Sequence, residues 1–211
     1  QSWIAEGFDN YLFTPSKKTH RLLTRLALEN LFHPFQPFMI GQMLFPPKLA
    51  LKLNIPLIFY GENPEDYGNK KNKTDTPSKN LNFFSRKESE DFYISGLNKK
   101  ELDDYGISEN ELIPYKPVTD KEISLKNIDV QYLGYYLKWH PQENYYYTIE
   151  NSNFTPSPER TPGTYSKYSS IDDKLDDLHY YTTYIKFGMG RATYDTAQEI
   201  RNGEINRDEG I

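Results

Sequence analysis

The chain has 211 residues, a formal net charge of −5 and no cysteine, so disulfides and thiolate chemistry are excluded within it. Its charges are mixed, with no basic stripe of the kind that follows a nucleic acid backbone, and no apolar run approaches the ~20 residues a membrane-spanning helix needs. The opening QSWIAEGFDN lacks the basic and apolar regions of a signal peptide and has no initiator Met. The expectation is a cytoplasmic chain, with neither nucleic acid nor membrane as partner, that starts inside a longer protein. Eighteen tyrosines and twelve phenylalanines predict an aromatic interior with polar tips at its margin, which suits packing on another surface or lining a polar pocket.

Ser16 is placed to cap a helix carrying Leu22, Leu23, Leu26, Ala27 and Leu31, ending by His33-Pro34. After a Pro-Phe segment, Pro46-Pro47 predict the start of a second helix running through Leu53. The apolar run from Ile55 to Tyr60, closed by Gly61, predicts a buried parallel strand. Residues 69–80, rich in Lys and Asn, predict a mobile surface loop. Asn98/Glu101 and Thr119/Glu122 have capping-box spacing. Residues 130–134 predict a second parallel strand, and Pro141 predicts the start of a helix. Residues 151–170, dense in Ser, Thr, Pro and Gly, predict a long functional loop. Ser170 and Asp173 then predict the cap of a helix with Leu175, Leu178 and Ile185 on one side. A further helix is expected from about Arg191 to Ile200, closed by Asn202-Gly203, and Asn206/Glu209 predict one more. The order is an α/β pattern whose two parallel strands make an incomplete sheet.

Four stretches carry candidate chemistry. Gly61-Glu62-Asn63 follows a strand, where ligands bind in open α/β sheets; a solvated loop is the alternative. Lys138, among aromatics after the second strand, suits stacking or phosphate pairing, with rim packing as the alternative. GTYSKYSSIDD brings Tyr165, Ser166 and Asp172 to a helix start that suits an anion or a sugar, or simple capping. Lys186 and Arg191 flank Gly188 and Gly190, which admit close approach to the backbone; a helix C-cap with solvated charges is the alternative. The four histidines share no metal-ligand spacing.

The blocks LFHPFQPFMIGQ, LNIPLIFYGENPEDYGN, YLGYYLKWHPQENYYY, ERTPGTYSKYSSIDDK and HYYTTYIKFGMGRATYDTAQEIRNGEINRDEG together resemble the N-acetyl-sugar amidotransferase family of O-antigen and flagellin-glycan synthesis, including pseudaminic acid modification. The resemblance is nearly collinear over residues 1–211 and weakest around 69–120. It implies the fold of PP-loop ATP pyrophosphatases, an incomplete doubly wound parallel sheet of the adenine nucleotide α-hydrolase type with C-terminal helices. The whole chain would be the C-terminal part of one such domain, because the Ser-Gly-Gly-x-Asp-Ser loop that grips ATP is not in this sequence. The implied reaction uses ATP and Mg²⁺ to convert the N-acetyl group of a free or nucleotide-activated sugar to an acetamidino group, with ammonia from a separate glutaminase. By resemblance Glu62 and Asn63 match the family's Gly-Glu-Asn and are the catalytic candidates. Lys138, Tyr165, Ser166, Asp172, Lys186 and Arg191 lie in matching blocks and are substrate-binding candidates. Asp172, Lys186 and Arg191 are expected to approach the carboxyl ends of the two strands. A non-catalytic, aromatic-lined carbohydrate-binding module and a structural fragment that completes another chain are the alternatives; an all-β sandwich would favour the former.

Overall fold

The computed structural model describes residues 2–61, 76–79, 83–87 and 91–211. In chain order the elements are α1 (Ser2–Ala5), α2 (Lys17–Leu31), α3 (Gln36–Leu53), β1 (Leu57–Tyr60), β2 (Ser85–Arg86), β3 (Tyr93–Ile94), β4 (Leu97–Asn98), α4 (Lys99–Asp104), α5 (Glu109–Leu112), β5 (Val118–Thr119), α6 (Asp120–Leu125), β6 (Asp129–Tyr132), α7 (Pro141–Asn151), α8 (Asp176–Phe187) and α9 (Arg191–Asn202). They fall into two compact units, Pro15–Leu137 and Gln1–Thr14 with Lys138–Ile211. The architecture is a mixture of helices and small sheets, two of them parallel, with no closed barrel among the described residues.

In the Pro15–Leu137 unit, Ser16 caps α2 by accepting from the Thr19 amide at 3.4 Å. Leu23, Leu26 and Ala27 are buried on one stripe of that helix, as their helical spacing requires. One core cluster joins Leu23 to Ile94, Leu102, Ile107, Leu112 and Tyr115. A second is built from α3, β1, β5, α6 and β6, with Leu44, Ala50, Ile58, Val118, Ile123 and Val130 at its centre.

The second helix starts ten residues earlier than the sequence reading placed it. Pro37 sits in the first turn of α3, where a missing N–H costs nothing, and Pro46 and Pro47 lie inside the helix. Prolines there leave the carbonyls four residues back, Gln42 and Met43, without helical donors. The Tyr60 hydroxyl donates to the Met43 carbonyl at 2.5 Å.

β1 and β6 pair in parallel, Leu57 opposite Asp129 through Tyr60 opposite Tyr132. β1 is buried on one side only: Ile58 is 8% exposed, whereas Leu57 and Phe59 are 41% and 47% exposed. The apolar run therefore does not mark a strand buried on both faces. Residues 76–79 add to the far edge of β6. Ser78 bridges Gln131 in antiparallel sense, the Lys79 amide donates to Val130 O at 2.7 Å and the Tyr132 amide donates to Pro77 O at 2.9 Å. That part of the expected mobile loop is thus held by a sheet edge; 69–75 and 80 lie outside the described residues.

Both expected capping boxes form, at Asn98/Glu101 and Thr119/Glu122, and Ser108/Glu111 makes a third. The β3–β4 hairpin turns through Ser95 and Gly96, both at positive φ, 57° and 78°, as a type I′ turn needs. Ser95 is fully buried because its hydroxyl donates to Leu23 O at 2.8 Å and its amide donates to Gln36 Oε1 at 3.0 Å.

In the other unit α7 starts at Pro141 and α9 ends at Gly203 in the left-handed region. α8 starts at Asp176, six residues past Ser170. Ser170 has φ 54° and does not cap the helix; Asp173 instead accepts from the Leu175 amide at 2.6 Å. Leu178 and Ile185 are 37% and 54% exposed, so the apolar stripe expected on this helix is not a core face. Asn206 and Glu209 bond reciprocally, but the segment forms only a turn.

Candidate functional site

The candidate site of the C-terminal unit is the connection from Ser152 to Leu175, laid against one face of α9. Arg191, Asp195 and Glu199 recur every four residues along α9, so their side chains share that face. Arg191 is 3% exposed. Its guanidinium donates to Pro162 O at 3.1 Å, to Ser169 O at 3.0 Å and to Ser169 Oγ at 2.7 Å, and it lies 4.6 Å from the Tyr180 ring centroid. The Ala192 amide donates to Gly163 O at 2.9 Å, and the Thr164 hydroxyl donates to Asp195. Within the connection, the Thr161 and Ser157 amides donate to Ser166 O and Lys167 O, each at 2.9 Å. A stretch without regular secondary structure is thereby held by bonds to its own backbone and to one buried arginine.

Tyr165 bonds Thr196 and Glu199 through its phenol, and burial pushes that phenol up to about 12, with Glu199 and Asp195 adding to the rise. Tyr168 stacks on Tyr145 of α7 with centroids 4.7 Å apart, and burial likewise raises its phenol. Glu199 is raised by burial and by the neighbouring charges of Glu204 and Asp195, against the lowering effect of its Tyr165 bond. Asp176, 8% exposed, is raised first by burial. Its Ser170 bond acts against the rise, and Asp173 and Asp172 add to it. Both carboxyls therefore hold a proton more readily than a solvated carboxyl does.

Tyr165, Ser166 and Arg191 are brought together by this connection. Ser166 is buried and its hydroxyl lies 3.4 Å from that of Ser169. Arg191 points into the protein, and the bonds just described make it the clamp of the connection. Asp172 is exposed and acts on Asp176 at a distance. Lys186 stands exposed on the last turn of α8, with its ammonium 5.3 Å from the Phe187 ring centroid. Lys138 is exposed where this unit begins. Glu62 and Asn63 lie outside the described residues. Sequence reasoning missed Asp195 and Glu199, although their four-residue spacing from Arg191 was readable, and it missed Asp176 and Tyr180.

It also missed Lys79 in the other unit. The Lys79 ammonium lies 3.6 Å from the Tyr60 ring centroid and 5.3 Å from that of Tyr132. Those tyrosines end β1 and β6, so a cation stands at the carboxyl end of a parallel pair, where open α/β sheets bind ligands. The pairing of residues 77–79 with β6 puts it there, and nothing in the local sequence signals that pairing. No group of three or more His, Asp or Glu among the described residues could hold a metal ion, and no helix among them is long and apolar enough to cross a membrane.

Residues 162–211 match the C-terminal domain of WbpG-like lipopolysaccharide (LPS) biosynthesis proteins. The matched segment takes in the second half of the clamped connection, α8 and α9, and so includes Tyr165, Ser166, Asp176, Arg191, Asp195 and Glu199. No curated protein matches the chain.

Proposed function

We propose that the chain is part of an ATP-dependent amidotransferase of surface-glycan biosynthesis that converts a sugar's N-acetyl group to an acetamidino group. The observation that carries this reading is the match of residues 162–211 to a domain of LPS biosynthesis proteins. The longer resemblance of the sequence supports the finer reaction. An amide is a poor electrophile, and ATP would supply the leaving group by adenylating the carbonyl oxygen with loss of pyrophosphate. Ammonia from a glutaminase then adds to the carbon, and AMP departs with the oxygen. The described residues offer no metal cluster, and the sequence has no Ser-Gly-Gly-x-Asp-Ser. No residue here is therefore assigned to Mg²⁺ or to the ATP phosphates.

What the chain's own residues do in this reading is position and neutralise. Lys79 offers positive charge at the strand ends. The clamped connection presents hydroxyls and a tyrosine beside carboxyls whose pKa burial raises. Exposed Tyr146, Tyr147, Tyr181 and Tyr184 on α7 and α8 favour a second reading, a non-catalytic carbohydrate-binding part.

The test is glycan composition. In cells whose surface glycan carries acetamidino sugars, loss of the gene should leave N-acetyl groups at those positions, seen by mass spectrometry as an oxygen in place of each NH. An unchanged glycan overturns the proposal, and loss of the sugar chain without accumulation of the N-acetyl form favours the binding reading. The purified 211-residue chain alone is expected to release no AMP from ATP, sugar and ammonia.

A further inference from the structure

On the connection before α8, Thr155, Pro156, Ser157, Thr161, Ser170 and Ile171 line an open cleft of about 370 Å³. That volume is at the small end of ligand sites and suits a single sugar ring. With Pro158, the lining has four hydroxyl-bearing residues, three apolar ones and no charged side chain, which disfavours an anion. Hydroxyls beside proline and isoleucine match a ring that carries hydroxyls on its edge and C–H groups on its faces.

Ser170 is the distinctive residue of this lining. Its φ of 54° lies in the left-handed region, which is uncommon for a residue with a side chain and is kept only where the surroundings enforce it. Its hydroxyl is 3.2 Å from the Tyr180 hydroxyl and bonds the Asp176 carboxylate. An ionised carboxylate only accepts, so Ser170 donates to Asp176 and Tyr180 donates to Ser170. The Ser170 oxygen then has one acceptor position left, and it belongs to a residue that lines the cleft. Tyr180 is held in turn by the Arg191 guanidinium over its ring. The orientation of the serine is thus fixed from behind before any ligand arrives.

We propose that this cleft is a subsite for the ring of a neutral N-acetyl sugar, with the Ser170 oxygen accepting the hydrogen bond of the acetamido N–H and Ile171 and Pro156 meeting the ring or the acetyl methyl. The choice of an acetamido sugar over another polyol rests on the function proposed above; the polarity and size of the cleft do not.

The experiment is ligand binding by the whole 211-residue chain, using saturation-transfer NMR and titration with N-acetylglucosamine, N-acetylgalactosamine and N-acetylmannosamine, and with glucose for comparison. At least one acetamido sugar should bind saturably and more tightly than glucose. Ser170→Gly keeps the left-handed backbone without strain and removes only the hydroxyl, so it should stay folded, with some stability lost at Asp176, and bind at least tenfold more weakly. Ile171→Trp, at a position 42% exposed, should fill the cleft and abolish binding in a folded protein. No saturable binding of any of the three sugars, or equal binding by folded Ser170→Gly and parent, overturns the subsite. Glucose binding as tightly as the best acetamido sugar overturns the acetamido assignment. Sugar binding with an unchanged glycan in the deletion strain sinks the amidotransferase reading and leaves the subsite standing. An altered glycan without sugar binding does the reverse.

Discussion

The Tyr60 hydroxyl donates to the main-chain carbonyl of Met43 at 2.5 Å, the carbonyl that Pro47 leaves without a helical donor. One side chain at the end of β1 therefore repairs the hydrogen-bond defect that Pro47 introduces into α3. Burial, with Tyr132 beside it, holds the Tyr60 phenol protonated well above its ordinary range, which keeps it a donor. Tyr60→Phe should leave the Met43 carbonyl unsatisfied and destabilise the chain by about 1–3 kcal/mol in urea unfolding. Moving the prolines out, by Pro47→Ala, should shrink that penalty, because the helix then supplies its own donor.

Lys79 rests on the same tyrosine, 3.6 Å from the ring centroid. Lys79→Met removes the cation–π contact and should cost about 0.5–2 kcal/mol. Lys79→Arg should retain most of that stability. The comparison is of urea midpoints at equal slope; equal loss in both variants would mean that packing of the stem, not the charge, is what Tyr60 recognises.

Arg191 should behave as a clamp. Arg191→Met strands Pro162 O, Ser169 O and Ser169 Oγ and is expected to cost about 3 kcal/mol. Proteolytic cleavage should become faster within residues 152–175. Arg191→Lys should recover little, since one ammonium does not reproduce the planar fork. A normal melting temperature in either variant would mean that the connection is held by its own backbone bonds.

The Glu111 carboxylate accepts from Thr19 Oγ1 at 2.5 Å, from the Ser108 amide at 3.0 Å and from Ser108 Oγ at 2.8 Å. Led by the Thr19 bond, these contacts lower its pKa from 4.5 to about 2. A depressed carboxylate binds its proton less readily in the folded state. Its stabilisation is complete above the unfolded value of 4.5 and is lost as pH falls towards 2. Glu111→Gln should flatten the acid side of the stability profile over that window and leave its slope near neutral pH unchanged. Thermal melts across the pH range read this directly.

Glu62 follows β1 in sequence, past Gly61, beyond the described residues. If the proposed amidotransferase function holds, Glu62→Gln is expected to lower acetamidino-sugar formation by about 10²-fold with saturating ammonia, the scale of a positioned acid–base group. Near-normal turnover would return Gly61-Glu62-Asn63 to an ordinary loop.

What the sequence determined by itself was local. Ser16, Asn98/Glu101, Thr119/Glu122, Pro141 and Asn202-Gly203 mark helix ends because capping is settled within a few residues of chain. The runs that became β1 and β6 were legible from their apolar character and their glycine stops. Tertiary structure decided the rest. Pro46-Pro47 looked like a helix start because a proline is cheapest there, and inside α3 the carbonyl that Pro47 frees is satisfied from β1 by Tyr60. Ser170 looked like a cap, yet Tyr180 and Asp176 draw its hydroxyl elsewhere and α8 starts later. Arg191 looked like a substrate-binding or solvated cation after Gly190, and its burial follows from bonds to Pro162 and Ser169. Lys79 carried no signal at all, because its place at the strand ends comes from pairing with a strand far along the chain. Hydrogen bonds and burial between residues distant in sequence set these positions, and no local pattern records them.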